Sequence, residues 1–253
     1  MRTLADTRLV LHSTLDAPVR DFAAVHAWFC DLDNPRPLAG VDESAVSSDE
    51  LARAERLVDE EKRRRFLRGR ATVRSVIGEL LGIPARDVEF TVDPEGKPRV
   101  VQPRTCGSCA PPPLHVNWSR SQDVLLLAAT TRGELGVDVE ISDPRLDLLA
   151  LAETHFTSDE QASLRALPAE QRAASFFRCW TAKEAVLKAL GLGLAGALHR
   201  VVARTELHGA ICVSLDGKAL DAPSGWQIIT SEFPVDSRRA VATIVVKVNE
   251  SIS

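Results

Sequence analysis

Leu135-Gly136-Val137-Asp138-Val139-Glu140-Ile141 alternates apolar and polar residues after a glycine, and the alternation predicts a half-buried strand. Val137, Val139 and Ile141 then share one face and Asp138 and Glu140 the other. Two carboxylates project together from one side. Hard oxygen ligands so placed suit Mg²⁺, and a solvated acidic strand face is the other reading. Thr131-Arg132-Gly133 just before it reads as a turn.

Downstream, helices are expected over about Ser158–Leu167 and Ala169–Leu190, the second stopped by Gly191. In that second helix Thr181, Glu184 and Lys188 share one face, whereas Phe176, Trp180, Leu187 and Leu190 form a more apolar side. Glu184 and Lys188 are four apart, so a simple intrahelical ion pair accounts for them without any ligand. Strands are expected at Val201–Arg204, Ile211–Leu215, Trp226–Thr230 and Val241–Val248. Upstream, Ser47 and Glu50 have capping-box spacing at a helix start, and a second, arginine-rich helix runs from Glu60 to a stop at Gly82. Alternation returns at Val88–Val92, and Asp93-Pro94-Glu95-Gly96-Lys97-Pro98 reads as a turn. Further strands are expected at Leu114–Trp118 and Val124–Ala129. Helix followed by strand thus occurs in both halves.

The chain has 253 residues, 45% hydrophobic and 26% charged, with 31 Lys and Arg against 35 Asp and Glu for a net charge of −4. These values exclude wholesale disorder and argue against a surface built throughout for nucleic acid. The longest apolar run, Val124 to Ala129, falls far short of the ~18–20 residues that span a bilayer. Met1-Arg2-Thr3-Leu4-Ala5-Asp6 does not resemble a secretory signal, so a cytoplasmic location is expected. Five cysteines make a complete disulfide framework improbable, and Cys106-Gly107-Ser108-Cys109, next to Pro111-Pro112-Pro113, reads as a surface loop without partners for zinc.

Gly136-Val137-Asp138-Val139-Glu140, followed about forty residues later by Trp180-Thr181-Ala182-Lys183-Glu184-Ala185-Val186-Leu187-Lys188-Ala189-Leu190-Gly191-Leu192-Gly193-Leu194, resembles the paired signature of the 4′-phosphopantetheinyl transferases. The double-length, surfactin-synthetase-activating type matches better than the short trimeric type. Gly69-Arg70-Ala71-Thr72-Val73-Arg74, the turn Gly96-Lys97-Pro98 and Asn117-Trp118-Ser119-Arg120-Ser121 also fall where that type has its N-terminal motifs. In the last of these, Arg120 replaces the usual histidine and Trp118 an aliphatic residue. Arginine still donates to phosphate but does not titrate near neutral pH.

The resemblance implies an α+β fold of two pseudo-symmetric α/β halves, each a small antiparallel sheet with packed helices, divided as 1–133 and 134–253. It implies transfer of the 4′-phosphopantetheine arm of coenzyme A to a serine of an apo acyl or peptidyl carrier protein, releasing 3′,5′-ADP. The metal, Mg²⁺ or Mn²⁺, falls to Asp138, Glu140 and Glu184, and catalysis to Glu184, Asp138 and Lys188, with Glu184 assisting deprotonation of the serine. Coenzyme A falls to Arg53, Arg65, Arg70, Lys97, Ser119, Arg120, Lys183 and Lys188. The expected protein is a monomer that binds neither membrane nor nucleic acid. Two rivals stand beside this: a family member that binds coenzyme A without transferring its arm, and a nucleic-acid-binding module built on the arginines from Arg63 to Arg74.

Overall fold

The computed structural model describes residues 9–12, 24–34, 41–102, 112–193, 197–205 and 211–248; Cys106 and Cys109 lie outside them. The elements run β1 (Leu9–His12), β2 (Val25–Asp31), α1 (Ser48–Glu55), α2 (Glu60–Leu81), β3 (Phe90–Val92), β4 (Pro98–Val100), β5 (His115–Ser121), β6 (Val124–Thr130) and β7 (Gly133–Ile141). There follow α3 (Leu148–His155), α4 (Ser158–Ala166), α5 (Ala169–Leu190), β8 (Val201–Thr205), β9 (Ile211–Leu215), β10 (Lys218–Ala219), β11 (Trp226–Val235) and β12 (Arg238–Val248).

One sheet has the order β1-β2-β6-β5 and another β11-β12-β7, with β10-β9-β8 and the β3-β4 hairpin as smaller units. Pairing is antiparallel except between β1 and β2, which are parallel. The small antiparallel sheets with packed helices are those expected, and the parallel β1-β2 pair is an addition to them. The N-terminal strands and α3 were not foreseen: Val25–Asp31 is almost wholly buried and shows no alternation to read.

Alternation assigns the layers. Val124, Leu126 and Ala128 of β6 join Leu135, Val137, Val139 and Ile141 of β7 in a core between the two larger sheets. Leu125, Leu127 and Ala129, on the other face of β6, pack with Val73, Val76 and Ile77 of α2. On the far side, Ala182, Ala185, Val186 and Ala189 of α5 pack with Val241 and Val245 of β12 and with Val201 and Ala203 of β8. The order is helix, sheet, sheet, helix, and β6 is buried on both faces because it lies between two layers. Among the described residues no helix is long and apolar enough to cross a membrane.

Gly136 sets the depth of this packing. A Cβ there would lie 2.0 Å from the Ala185 carbonyl oxygen and 2.3 Å from the Ala189 nitrogen, so α5 rests directly on the backbone of β7. Two capping-box glutamates also serve as anchors. Glu50, which with Ser47 caps α1, accepts from Arg74 of α2, 24 residues on. Glu160, which with Thr157 caps α4, accepts from Lys183 of α5, 23 residues on.

Candidate active site

β5 and β7 are edge strands of different sheets, and side chains stitch them together. Asn117, Ser119 and Ser121 point to the same side of β5 because strand side chains alternate. Asn117 Oδ1 accepts the Val137 N–H at 2.8 Å and Ser121 Oγ accepts that of Ile141 at 3.1 Å. Ser119 Oγ donates to Asp138 Oδ1 at 2.7 Å, and Ser121 Oγ donates to Glu140 Oε2 at 2.6 Å. Free N–H groups on a sheet edge are thereby satisfied. The two acids of β7 are fixed at the same time.

Gly136 brings α5 close enough for its Glu184 and Lys188 to meet those acids. Lys188 Nζ lies 2.5 Å from Asp138 Oδ1, 3.3 Å from Glu184 Oε2, and 3.1 Å from Ser119 Oγ, to which it donates. Asp138 is 1% exposed, and its other oxygen, Oδ2, is buried with no hydrogen-bond partner among the described residues. Burial lifts the Asp138 carboxyl to about 7, with Lys188 opposing and Glu184 adding to the rise. Glu140 is also raised to about 7, by burial and then by Asp138. Burial lowers the pKa of Lys188, but Asp138 and Glu184 more than offset this, so the ammonium stays charged. Among the described residues no three Asp, Glu, His or Cys side chains form a metal-holding group; Lys188 stands between two of the three expected ligands. The donor set still suits a hard cation, because a buried carboxylate oxygen without a partner calls for one.

Ser119 and Lys188 lead from these carboxylates into a cleft of about 1170 Å³, room for a cofactor-sized ligand. Arg53, Arg70, Lys97 and Arg120 line it as well. Their charges are not equally available. Arg120 has no carboxylate partner among the described residues; its Nη1 donates to the Gln122 carbonyl at 3.2 Å. Arg53 has none either and lies over the Phe66 ring, 5.4 Å from its centroid. Arg70 is paired with Glu50 and laid across Trp118, 4.8 Å from the ring centroid. Trp118 in turn meets Phe90 edge to face at 5.7 Å and keeps regular register opposite Leu127. The unusual tryptophan therefore builds cleft wall without bending β5. Lys97 Nζ is held by Glu134 and the Ala189 carbonyl, each at 2.7 Å.

Two expected coenzyme A contacts lie elsewhere. Lys183 is 0% exposed and points away from the cleft, one residue and so about 100° round the helix from Glu184. It donates to both oxygens of Glu160, at 2.9 and 2.7 Å. Its ammonium is structural, a correction to the expected ligand role. Arg65 is not on the cleft wall and is bound to Asp33 and Glu61. Carboxylates likewise engage Arg63, Arg64, Arg68, Arg70 and Arg74, so the basic run of α2 is largely neutralised where it stands. Glu134 was missed. One charged residue on an alternating strand carries no signal of its partner.

A model of the 4′-phosphopantetheinyl transferase superfamily matches residues 134–244, and a model of a 4′-phosphopantetheinyl transferase N-terminal region matches residues 41–132. The chain is 42% identical over 171 residues to the 4′-phosphopantetheinyl transferase HetI of Nostoc sp., covering 68% of this chain and 70% of that protein. It is 35% identical over 173 residues to the 4′-phosphopantetheinyl transferase psf-1 of Bacillus pumilus, covering 67% and 68% respectively. A putative 4′-phosphopantetheinyl transferase of Synechocystis sp., slr0495, is also 35% identical, over 175 residues. With both sequence signatures folded against one another at Asp138, Glu184 and Lys188, the chain belongs to the 4′-phosphopantetheinyl transferases, which move the phosphopantetheine arm to carrier proteins.

Proposed function

We propose that this cleft binds coenzyme A and that the arm passes from it to a serine hydroxyl of an apo acyl or peptidyl carrier protein. The observation that carries the reading is Oδ2 of Asp138, buried without a hydrogen-bond partner among the described residues on a carboxylate bound to the cleft-lining Lys188, in a cleft where Arg53 and Arg120 have no carboxylate partner among those residues. Mg²⁺ or Mn²⁺, held by Asp138, Glu140 and Glu184, would supply neutralisation of the pyrophosphate charge. Glu184 takes the proton of the incoming serine. The serine oxygen then bonds to the phosphorus that carries the pantetheine arm, the pyrophosphate P–O bond breaks, and 3′,5′-ADP leaves with the bonding electrons. Lys188 balances charge developing on the bridging and leaving oxygens, the main electrostatic demand of such a transfer. Arg120 and Arg53 hold coenzyme A phosphates by charge-assisted hydrogen bonds.

The reading includes a division into halves at 133/134, supported by the paired anchors Glu50–Arg74 and Glu160–Lys183. It also includes a cytoplasmic monomer that binds neither membrane nor nucleic acid, to be checked by sedimentation, by cell fractionation and by titration with vesicles and duplex DNA. The decisive experiment incubates the protein with coenzyme A, Mg²⁺ and a panel of apo carrier proteins and follows the carrier's intact mass. Addition of the arm to a carrier supports the reading. Coenzyme A binding without any transfer supports the inactive rival.

A further inference from the structure

The turn Asp93–Pro98 belongs to the N-terminal half, and the end of α5 to the C-terminal half, yet they are packed together. Gly191 closes α5 with φ +66°, and a Cβ on it would meet Asp93 Oδ2 at 3.2 Å and Lys97 Cδ at 3.6 Å. Inside the turn, Asp93 Oδ1 accepts the Lys97 N–H at 2.7 Å. The Lys97 side chain, 6% exposed, crosses to the other half, where Nζ donates to Glu134 Oε2 of β7 and to the Ala189 carbonyl of α5, both at 2.7 Å. That carbonyl is one of the last of the helix, which have no intrahelical donor. Glu134 also takes Arg99 Nη1 of β4 at 2.7 Å, and His115 Nδ1 lies 3.7 Å from it.

An ammonium has three donors and one charge. Here two donors are used among the described residues, and Glu134, shared with Arg99, together with Asp93, 3.6 Å from Arg99, sets two carboxylates against the two cations. We propose that Lys97 is a positioning residue: with Glu134 and the Ala189 carbonyl it latches the β3-β4 hairpin, one wall of the cleft, onto the end of the helix that carries Glu184 and Lys188. Coenzyme A then meets a wall already set at its working distance from the carboxylates. The proposal rests on the reading of the cleft as the coenzyme A site, but its geometry does not.

A ligand and a latch differ in what Glu134 does. If Lys97 bound phosphate, Glu134 would compete for it, and Glu134→Gln would leave coenzyme A affinity unchanged or tighten it. For a latch, Glu134→Gln and Lys97→Met act in the same direction. The test compares wild type, the two single variants and the double variant by calorimetric titration with coenzyme A, by turnover at saturating coenzyme A, and by hydrogen exchange of residues 90–100 in the free protein. The expected result is a loss of affinity of about tenfold in each single variant and no further loss in the double, as for residues acting in one network. Turnover at saturation should stay within about threefold, since the Lys188 cluster is untouched. Hairpin exchange should quicken in both singles without any coenzyme A present, which loss of a phosphate ligand would not cause. If Lys97→Met fails to fold, Glu134→Gln, which keeps size and an acceptor, carries the test alone. Losses that add, an affinity gain in Glu134→Gln, or hairpin exchange unchanged in both singles would overturn the latch. Failure of the wild type to bind coenzyme A would overturn the reading of the cleft instead, and exchange on the free protein would still decide the latch.

Discussion

Lys183 and Glu160 form a bidentate ion pair with neither side chain more than 1% exposed, and Glu160 also accepts the Ala203 N–H at 2.7 Å. The lysine that precedes Glu184 in the signature thus joins α5 to α4 and β8, on the side of the helix away from the cleft. Removing one partner of a buried pair strands the other charge. Lys183→Met should therefore cost ~3–5 kcal/mol in denaturant unfolding. Coenzyme A affinity of the folded fraction should be unchanged in a calorimetric titration; a tenfold loss there would return Lys183 to the ligand set.

The carboxylates around Lys188 should behave oppositely. Asp138→Ala and Glu184→Ala should each lower turnover at least ~10²-fold, the order found when one preorganised electrostatic group is lost. Both variants should keep the wild-type circular dichroism spectrum. Transfer should stop in excess chelator and return with Mg²⁺ or Mn²⁺. Full activity in chelator would remove the metal from the site.

Arg120 lines the cleft with no acidic partner among the described residues, so its replacement tests the phosphate role directly. Arg120→His should hold much of the coenzyme A affinity near pH 6 and lose it as pH rises through the histidine pKa near ~6.5. Arg120→Ala should be weak at both pH 6 and pH 8. Titrations of the three proteins at the two pH values check this, and three equal affinities would remove Arg120 from the site.

Gly136 offers a test of packing alone. Its missing Cβ would lie within 2.9 Å of three backbone atoms of α5, and backbone cannot rotate away. Gly136→Ala should cost ~3 kcal/mol or more, the upper part of the range for overpacked cores. It should also lower turnover by displacing Glu184 and Lys188. Urea unfolding and the transfer assay read the two effects.

Asp123 and Arg238 tie the β5-β6 turn to the start of β12 by two hydrogen bonds of 2.6 Å. The Arg238 bond holds the Asp123 carboxyl below its ordinary pKa. A depressed carboxyl stabilises the fold above its unfolded pKa, near ~3.9, and that stability is lost as pH falls through the folded value. Asp123→Asn should therefore cost ~1–3 kcal/mol at pH 7, with the difference from wild type shrinking below about pH 4. Urea unfolding at several pH values follows it.

Sequence by itself determined what rests on local spacing. The period of two over residues 135–141 determined both the strand and the side on which Asp138 and Glu140 project, and α5 with its Gly191 stop followed from helical periodicity and a residue suited to positive φ. The capping box at Ser47 and Glu50 was legible for the same reason. Tertiary structure alone decided which charges are free. Lys97, Arg70 and Lys183 read as available cations, yet Glu134, Glu50 and Glu160 engage them from 37, 20 and 23 residues away. Spacing within one element reports which side chains share a face; it does not report what the opposing element brings to that face, and the fate of a buried charge depends on that second element.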